Sequence, residues 1–340
     1  MTIIVTGAAG FIGMHVCERL LARGERVIGV DNFNAYYDPS LKEDRAARLG
    51  RLSGFDLARI DIADHRAFEM LAHQAAPNRV VHLAAQAGVR YSLENPFAYE
   101  RSNLAGHLSV LEACRRTQSV HHLVYASSSS VYGDRALGPT GFSEDDVLDD
   151  PASLYAATKR SAELMSATYA RLYGMAQTGL RFFTVYGPWG RPDMALFMFA
   201  RNILEGKPID VFNNGHHKRD FTFVEDIAEG VVRVLERVAQ PDPNWKSDAP
   251  DPSSSNAPWR IYNIGNHSPV PLMHYIEVLE NCLGRKAQKN FLPLQLGDVP
   301  DTFADIDDLV RDVGYRPATP VEVGVRRFVD WFCEYYGYKR

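Results

Sequence analysis

Short apolar runs alternate with amphipathic stretches through the first half of the chain. Residues 3–5, 26–30, 55–60, 79–83, 122–126 and 179–183 read as buried strands. Between them, residues 15–23, 66–75 and 97–117 repeat apolar positions at helical spacing. This rhythm predicts an α/β fold, a doubly wound parallel sheet with helices on both faces. After Tyr186 the pattern changes: Gly187-Pro188-Trp189-Gly190-Arg191-Pro192 reads as a rigid loop, followed by an apolar helix over 195–204. Residues 225–238 read as a helix and 260–264 as another strand. The expected division is a cofactor domain over 1–180, with 225–265 returning to it, and a smaller mixed α/β substrate domain over 181–224 and 266–340. Residues 240–258, rich in Pro, Ser, Asp and Asn, read as a mobile polar loop too hydrophilic to bury.

Composition narrows the function. The 340 residues are 46% hydrophobic and carry a net charge of −5, so no global bias toward nucleic acid or an anionic membrane is expected. An anionic substrate must then be held by local cations. The first strand begins at Thr2, leaving no room for a signal peptide, and no apolar run reaches the ~20 residues that span a bilayer. Four scattered cysteines without a CxxC pair suit reduced thiols and a cytoplasmic setting. The pairs His121-His122 and His216-His217 have no Cys or carboxylate at ligand spacing, so no metal site is expected. Charges between Lys42 and Arg51 read as a solvated face, and Trp331, Phe332, Tyr335 and Tyr336 as a packed helix face.

Two motifs carry chemistry. Gly7-Ala8-Ala9-Gly10-Phe11-Ile12-Gly13 joins the first strand to the first helix. Its glycines permit a tight turn, and the helix N-terminus offers unpaired N–H groups to a pyrophosphate. Asp31, with Asn32 beside it, ends the second strand, where a carboxylate accepts from ribose hydroxyls and repels a 2′-phosphate, so NAD is expected rather than NADP. Asp61-Ile62 and Leu83-Ala84-Ala85 end the next two strands, and Asn103 is placed to steady the backbone nearby. The second motif is Tyr155-x3-Lys159 on one helix face, downstream of a serine cluster, where an ammonium favours a phenolate base.

Together these features resemble the extended short-chain dehydrogenase/reductase family, whose cofactor domain is of the Rossmann type. Within it, the chain is similar to the nucleotide-sugar 4-epimerases, foremost those acting on UDP-glucuronate. The specific pieces are residues 88–96 (GVRYSLENP), 127–133 (SSSSVYG) and 181–195 (RFFTVYGPWGRPDMA). The resemblance implies Tyr155 as base and Lys159 as its modulator and ribose ligand. It implies Ser128 as the bridge to the sugar 4-oxygen, with Ser129 beside it, and Tyr186 on the cofactor side. For the substrate it implies Ser127, Thr184 and Arg191 around the sugar, Val211, Phe212 and Asn213 at the uracil, Arg219 at the diphosphate and Asp298 at the ribose. Arg90 is a further anion ligand of unassigned role, and Gln295 stands where relatives acting on galactose have Arg. A homodimer through 97–117 and 153–173 is implied as well.

Sister reactions separate at single positions. Dehydratases of the family place Thr-Asp-Glu before Val-Tyr-Gly, and the decarboxylases place Glu directly before that Val. Here Ser128, Ser129 and Ser130 stand there, and without a carboxylate the elimination lacks a proton carrier. Arg191 offers a fork for a C6 carboxylate, the alternative being a loop Arg paired with Asp193. Holding that carboxylate also guards a 4-keto acid against loss of carbon dioxide. An epimerase of neutral UDP-galactose or UDP-N-acetylhexosamines is the runner-up, and a decarboxylase stands behind it.

Overall fold

The computed structural model describes residues 1–135, 137–138, 141–295 and 299–339. β1 (Thr2–Thr6), β2 (Arg26–Asp31) and β3 (Phe55–Arg59) are joined by α1 (Phe11–Ala22) and α2 (Ser40–Leu49). α3 (His65–Ala75) leads to β4 (Arg79–His82). Next come the short α4 (Tyr91–Glu94) and α5 (Pro96–Tyr99), π-helical turns at Glu100–Ala105, and α6 (Gly106–Arg116). β5 (His122–Ser128), α7 (Leu154–Tyr173) and β6 (Gln177–Phe182) complete the first half.

The second half is less regular. β7 (Thr184–Tyr186), α8 (Ala195–Leu204), β8 (Ile209–Val211), β9 (Lys218–Arg219) and β10 (Phe221–Phe223) precede α9 (Val224–Glu236) and β11 (Trp259–Ile264). β12 (Val270–Pro271), α10 (Leu272–Leu283), β13 (Lys289–Phe291), α11 (Asp307–Val313) and α12 (Val321–Tyr336) follow.

Seven strands form one parallel sheet in the order β3-β2-β1-β4-β5-β6-β11. Strand alternation feeds two cores. Ile3 and Val5 join Met14, Cys17, Val231 and Val234 on the α1/α9 face, whereas Ile4 joins Phe68, Val110 and Leu111 on the α3/α6 face. A third core, built from α8, α10 and α12 around Phe197, Leu279, Phe328 and Phe332, supports the smaller layer. The strand order reverses between β1 and β4, and open α/β sheets bind ligands at such a point, beyond the carboxyl ends of the strands.

Three expectations from the sequence change. Residues 97–117 are not one regular helix, because π turns intervene at Glu100–Ala105. The charges of 42–51 form a solvated face only in part: Glu43, Asp44, Arg48 and Arg51 are exposed, while Lys42 and Arg45 are buried on the side of α2 that packs Ala46 and Leu49. The polar stretch 240–258 packs its later part, burying Ser253, Ser254 and Ser255. It does so because hydrogen bonds replace water there: Ser254 donates to Asp242 and Asp251, and Ile261 N donates to Ser253 O at 2.8 Å. The aromatic residues of α12 do form a packed face, with Phe332 at 1% exposure. Among the described residues no group of three His, Cys, Asp or Glu side chains is arranged to hold a metal ion, and no helix is long and apolar enough to cross a membrane.

One buried ion pair ties the sheet to α7. Arg181 on β6 and Glu163 on α7 are both fully inaccessible, with Arg181 Nε to Glu163 Oε1 at 2.9 Å and Nη2 to Oε2 at 3.1 Å. Ser127 on β5 donates to Glu163 Oε1 at 2.6 Å. Removing Arg181 leaves the buried Glu163 with only the partly exposed Arg160 opposite it, Nη1 to Oε2 at 2.9 Å, so Arg181→Met is expected to lose about 3 kcal/mol of stability. Urea denaturation of the two proteins, read at their midpoints, checks this.

Candidate active site

The crossover from β1 to α1 sets the floor of the site. Gly7 sits at φ +72°, and a Cβ there would lie 2.8 Å from Ala84 N on the neighbouring β4 crossover. A Cβ on Gly13 would lie 2.0 Å from Gly7 O. Only glycine lets this turn close so tightly, which brings the open N-terminus of α1 to the sheet edge. Gly10 caps α1 without a side-chain hydrogen bond, so the first N–H groups of the helix have no intrahelical partner. Gly7, Gly10, Phe11, Ile12 and Gly13 all line one cleft of about 370 Å³.

The far strand ends close that cleft on the β2/β3 side. Asp31 accepts from Ala9 N at 3.1 Å and Phe33 N at 2.9 Å, so its carboxylate is fixed against the glycine turn. Asn32, Asp61 and Ile62 line the same side, and Leu83, Ala84 and Ala85 line the middle. Lys42, buried on α2, reaches to 4.0 Å from Asp31 and donates to Asn34 O and Asn34 Oδ1. A fixed carboxylate, free helix N–H groups and small residues at the crossovers fit a dinucleotide with an unphosphorylated adenosine ribose.

On the β5 side, Ser127, Ser128, Ser129, Tyr155 and Lys159 line the cleft together. α7 starts at Ser153, whose hydroxyl accepts from Ala156 N at 3.1 Å, and this cap places Tyr155 in the first turn with Lys159 one turn later. Burial raises the Tyr155 phenol above its ordinary value, while the Ser128 hydroxyl and the Arg191 charge pull it down. The shift is therefore upward, opposite to the depressed phenol expected from the sequence, because desolvation outweighs the stabilising groups. Lys159 is buried and donates to Ala126 O at 2.9 Å; burial pulls its pKa down to about 8, with Glu163 opposing.

Thr184 on β7 and Arg191, in the loop after it, complete the lining. Arg191 does pair with Asp193, Nε to Oδ1 at 3.1 Å and Nη2 to Oδ2 at 3.0 Å, and it lines the cleft at the same time. Tyr36 donates to Asp193 Oδ2 at 3.1 Å.

Other candidates lie elsewhere. Asn103 is not in the lining: it sits behind the wall, accepting from Gln86 N at 2.8 Å and donating to Gln86 O and Thr158 Oγ1. Tyr186 is also outside the cleft, its ring enclosed edge-on by Phe221, Phe223 and Tyr275 in an apolar core. Arg90 stacks on Phe212 at 4.6 Å, Val211 is fully buried, and Asn213 donates to His216 O at 2.7 Å, so these form a cluster outside the cleft lining. Arg219, outside the lining too, clasps the Val299 and Pro300 carbonyls at 2.7 and 2.6 Å. Asp298 lies outside the described residues.

Tyr36, Tyr37 and Lys42 line the cleft, and no motif in the sequence marks them for it. For Lys42 a signal existed, since Leu41, Arg45 and Leu49 share one helical face with Lys42 beside them. Tyr36 and Asp193 are 157 positions apart and leave no local pattern.

The sequence profile of the NAD dependent epimerase/dehydratase family matches residues 3–265. Protein CapI of Staphylococcus aureus is 51% identical over 336 residues, covering 99% of both chains. UDP-glucuronate 4-epimerase 4 of Arabidopsis thaliana is 46% identical over 340 residues, covering 99% of this chain and 76% of its own. The crystal structure of UDP-glucuronic acid 4-epimerase from Bacillus cereus, in complex with UDP-glucuronic acid and NAD, superposes with a TM-score of 0.87. It is 33% identical, with 99% of this chain and 100% of that one covered.

The Lys159 environment makes a pH-dependent prediction. With a folded pKa of about 8 against an ordinary 10.5, the unfolded chain holds a proton between those values that the folded chain lacks. The contribution of this group to stability therefore rises with pH across that window and is lowest below it. In the ligand-free protein, Lys159→Met is expected to gain on the order of 2 kcal/mol at pH 7, a gain that fades toward pH 10.5. Urea unfolding across that pH range checks both sign and trend.

Proposed function

The chain belongs to the NAD dependent epimerase/dehydratase family, and on that footing we propose that it interconverts UDP-glucuronate and UDP-galacturonate by inversion at C4. The observation that carries this reading is the joint placement of a guanidinium fork, Arg191, with Thr184, Ser128, Tyr155 and Lys159 in one cleft. Asp193 takes the Nε–Nη2 edge of Arg191, and the Nη1 side of the guanidinium is left to donate charge-assisted hydrogen bonds to a C6 carboxylate, while the other groups handle a hydroxyl proton. The names of the Arabidopsis and Bacillus cereus proteins support the same substrate.

Tyr155 takes the proton of the sugar 4-hydroxyl, and Ser128 bridges the 4-oxygen to the phenol. Lys159 favours the phenolate through its charge. NAD held there would supply a reversible acceptor for the C4 hydride, regenerated each turnover. Gly7, Gly10 and the first turn of α1 hold its pyrophosphate, and Asp31 holds its adenosine ribose. The 4-keto sugar presents its other face before reduction. Arg191 and Thr184 hold the carboxylate throughout, which keeps the β-keto acid out of the geometry that releases carbon dioxide.

Elimination is disfavoured by the same cleft. Among its described lining residues the carboxylates are Asp31 and Asp61, beyond β2 and β3, on the opposite side of β1 from Ser128 and Tyr155. A neutral sugar offers Arg191 no carboxylate beyond the Asp193 it already holds.

On this reading, residues 1–180 with 225–265 bind the dinucleotide, while 181–224 and 266–340 bind the nucleotide sugar. Arg219 and the loop it clasps hold the diphosphate end, with Phe212 and Asn213 toward the uracil and Asp298 at its ribose. The chain forms a homodimer through α6 and α7; Leu108, Leu164 and Leu172 on these helices are 42%, 55% and 65% exposed, which supports a covered apolar face. Four unpaired, buried cysteines support a cytoplasmic setting.

Purified protein incubated with UDP-glucuronate and no added cofactor is expected to give an equilibrium mixture with UDP-galacturonate by proton NMR. Carbon dioxide with a UDP-pentose would reassign it to the lyases, and turnover confined to UDP-galactose would overturn the role of Arg191. Tyr155→Phe is expected to lower kcat by about 10²–10⁴-fold while bound NAD is retained. Light scattering is expected to give twice the 38.1 kDa chain mass.

A further inference from the structure

Arg45 on α2 is fully buried, yet its guanidinium has four neutral acceptors. Nη1 donates to Ala9 O at 3.1 Å and to the Tyr37 hydroxyl at 2.7 Å. Nη2 donates to Trp189 O at 2.6 Å and Gly190 O at 3.2 Å. Ala9 lies within the glycine turn, and Gly190 immediately precedes Arg191. One side chain thus fastens the cofactor turn to the loop that presents the carboxylate fork. Desolvating a cation is costly, and for filling space an apolar side chain of similar volume serves as well. What the guanidinium adds is geometry, a planar donor array that fixes several carbonyls relative to one another.

The loop needs such fixing. Trp189 has φ +61°, a left-handed conformation that is strained for a bulky side chain and persists only where its surroundings over-determine it. His15 on α1 hydrogen-bonds Pro188 O at 3.0 Å. The Trp189 ring packs against Trp331 at 5.4 Å and Tyr335 at 5.2 Å, and Arg48 approaches its face at 5.8 Å. Tyr335 in turn donates to Asp44, so α12 and α2 grip the loop from both sides. The segment ahead of α2 reaches the fork as well, since Tyr36 donates to the Asp193 that pairs with Arg191.

We propose that Arg45 is a positioning residue for substrate specificity. By clamping Trp189 and Gly190 to Ala9 it sets the Arg191 fork at a fixed distance from the cofactor turn, and so selects a nucleotide sugar with a C6 carboxylate over a neutral one. The proposal rests on the function proposed above. It makes carboxylate recognition a property of the contact between two modules rather than of Arg191 alone, and a shift of the glycine turn at Ala9 is passed to Arg191 through a single guanidinium.

The test compares NAD-loaded Tyr155→Phe protein, in which turnover is slowed about 10²–10⁴-fold, with the double variants carrying Arg45→Lys or Arg45→Met in addition. Calorimetric titration with UDP-glucuronate and with UDP-glucose gives the ratio of the two dissociation constants. A lysine has no fork and cannot hold four acceptors, so Arg45→Lys is expected to weaken UDP-glucuronate about tenfold and UDP-glucose by less than about twofold. Arg45→Met is expected to exceed that loss in the same direction, and Arg45→Lys keeps the test open where the methionine protein fails to fold. Equal weakening of both sugars means a merely structural role and overturns the proposal, as does an unchanged ratio. A Tyr155→Phe protein with native Arg45 that shows no preference for UDP-glucuronate overturns the function reading itself, before any Arg45 variant is compared.

Discussion

The arrangement of the reacting groups depends on the buried ion pair between Glu163 and Arg181. Glu163 follows Lys159 by one helical turn, so whatever fixes Glu163 fixes the inner face of α7. Arg181 holds both of its oxygens, and Ser127 adds a third bond from β5, next to Ser128. The network extends outward: Arg181 Nη1 donates to the Tyr132 hydroxyl, which donates to Asn263 on β11 at 2.7 Å. Three adjacent strands and the helix bearing Tyr155 are thereby locked in one register. In a low-dielectric interior such a network is either complete or strongly destabilising, and completeness is what makes it rigid.

The electrostatics of the cleft follow from its burial. Desolvation pushes the Tyr155 phenol up and the Lys159 ammonium down, so both groups are biased toward their neutral forms. A base that works near neutrality then needs added positive charge close by. Arg191 contributes some, and Asp193 balances it. The fork thus serves two ends, facing the cleft while it acts on the phenol, and its loop is held in a strained conformation to do so.

Much of this was legible before the structure. The apolar runs place the six strands of the first half within a residue or two of their observed ends, and α8 at its observed limits. Most of the proposed cofactor and sugar contacts do line one cleft: the glycine turn, the strand-end residues, the serines, Tyr155, Lys159, Thr184 and Arg191. The failures have a common form. Tyr186 and Arg90 belong to quoted motifs, but each spends its aromatic or polar group on a neighbour distant in sequence, whereas Asn103 steadies the Gln86 backbone as its position implies. Among the dense charges of 42–51, Glu43, Asp44, Arg48 and Arg51 do face solvent, whereas Lys42 and Arg45 are buried with partners.

By itself the sequence determined what periodicity and spacing encode. Runs of apolar residues are buried strands, glycines at fixed intervals close a turn, and Tyr and Lys four apart share a helix face. These are properties of adjacent residues, set by backbone geometry. Only the tertiary structure decided which charges are buried and what they hold: Arg45 between Ala9 and Gly190, Tyr36 on Asp193, Arg181 on Glu163. Such pairings join positions 18 to 157 apart, and a hydrogen bond between them leaves no trace in the local pattern of either partner.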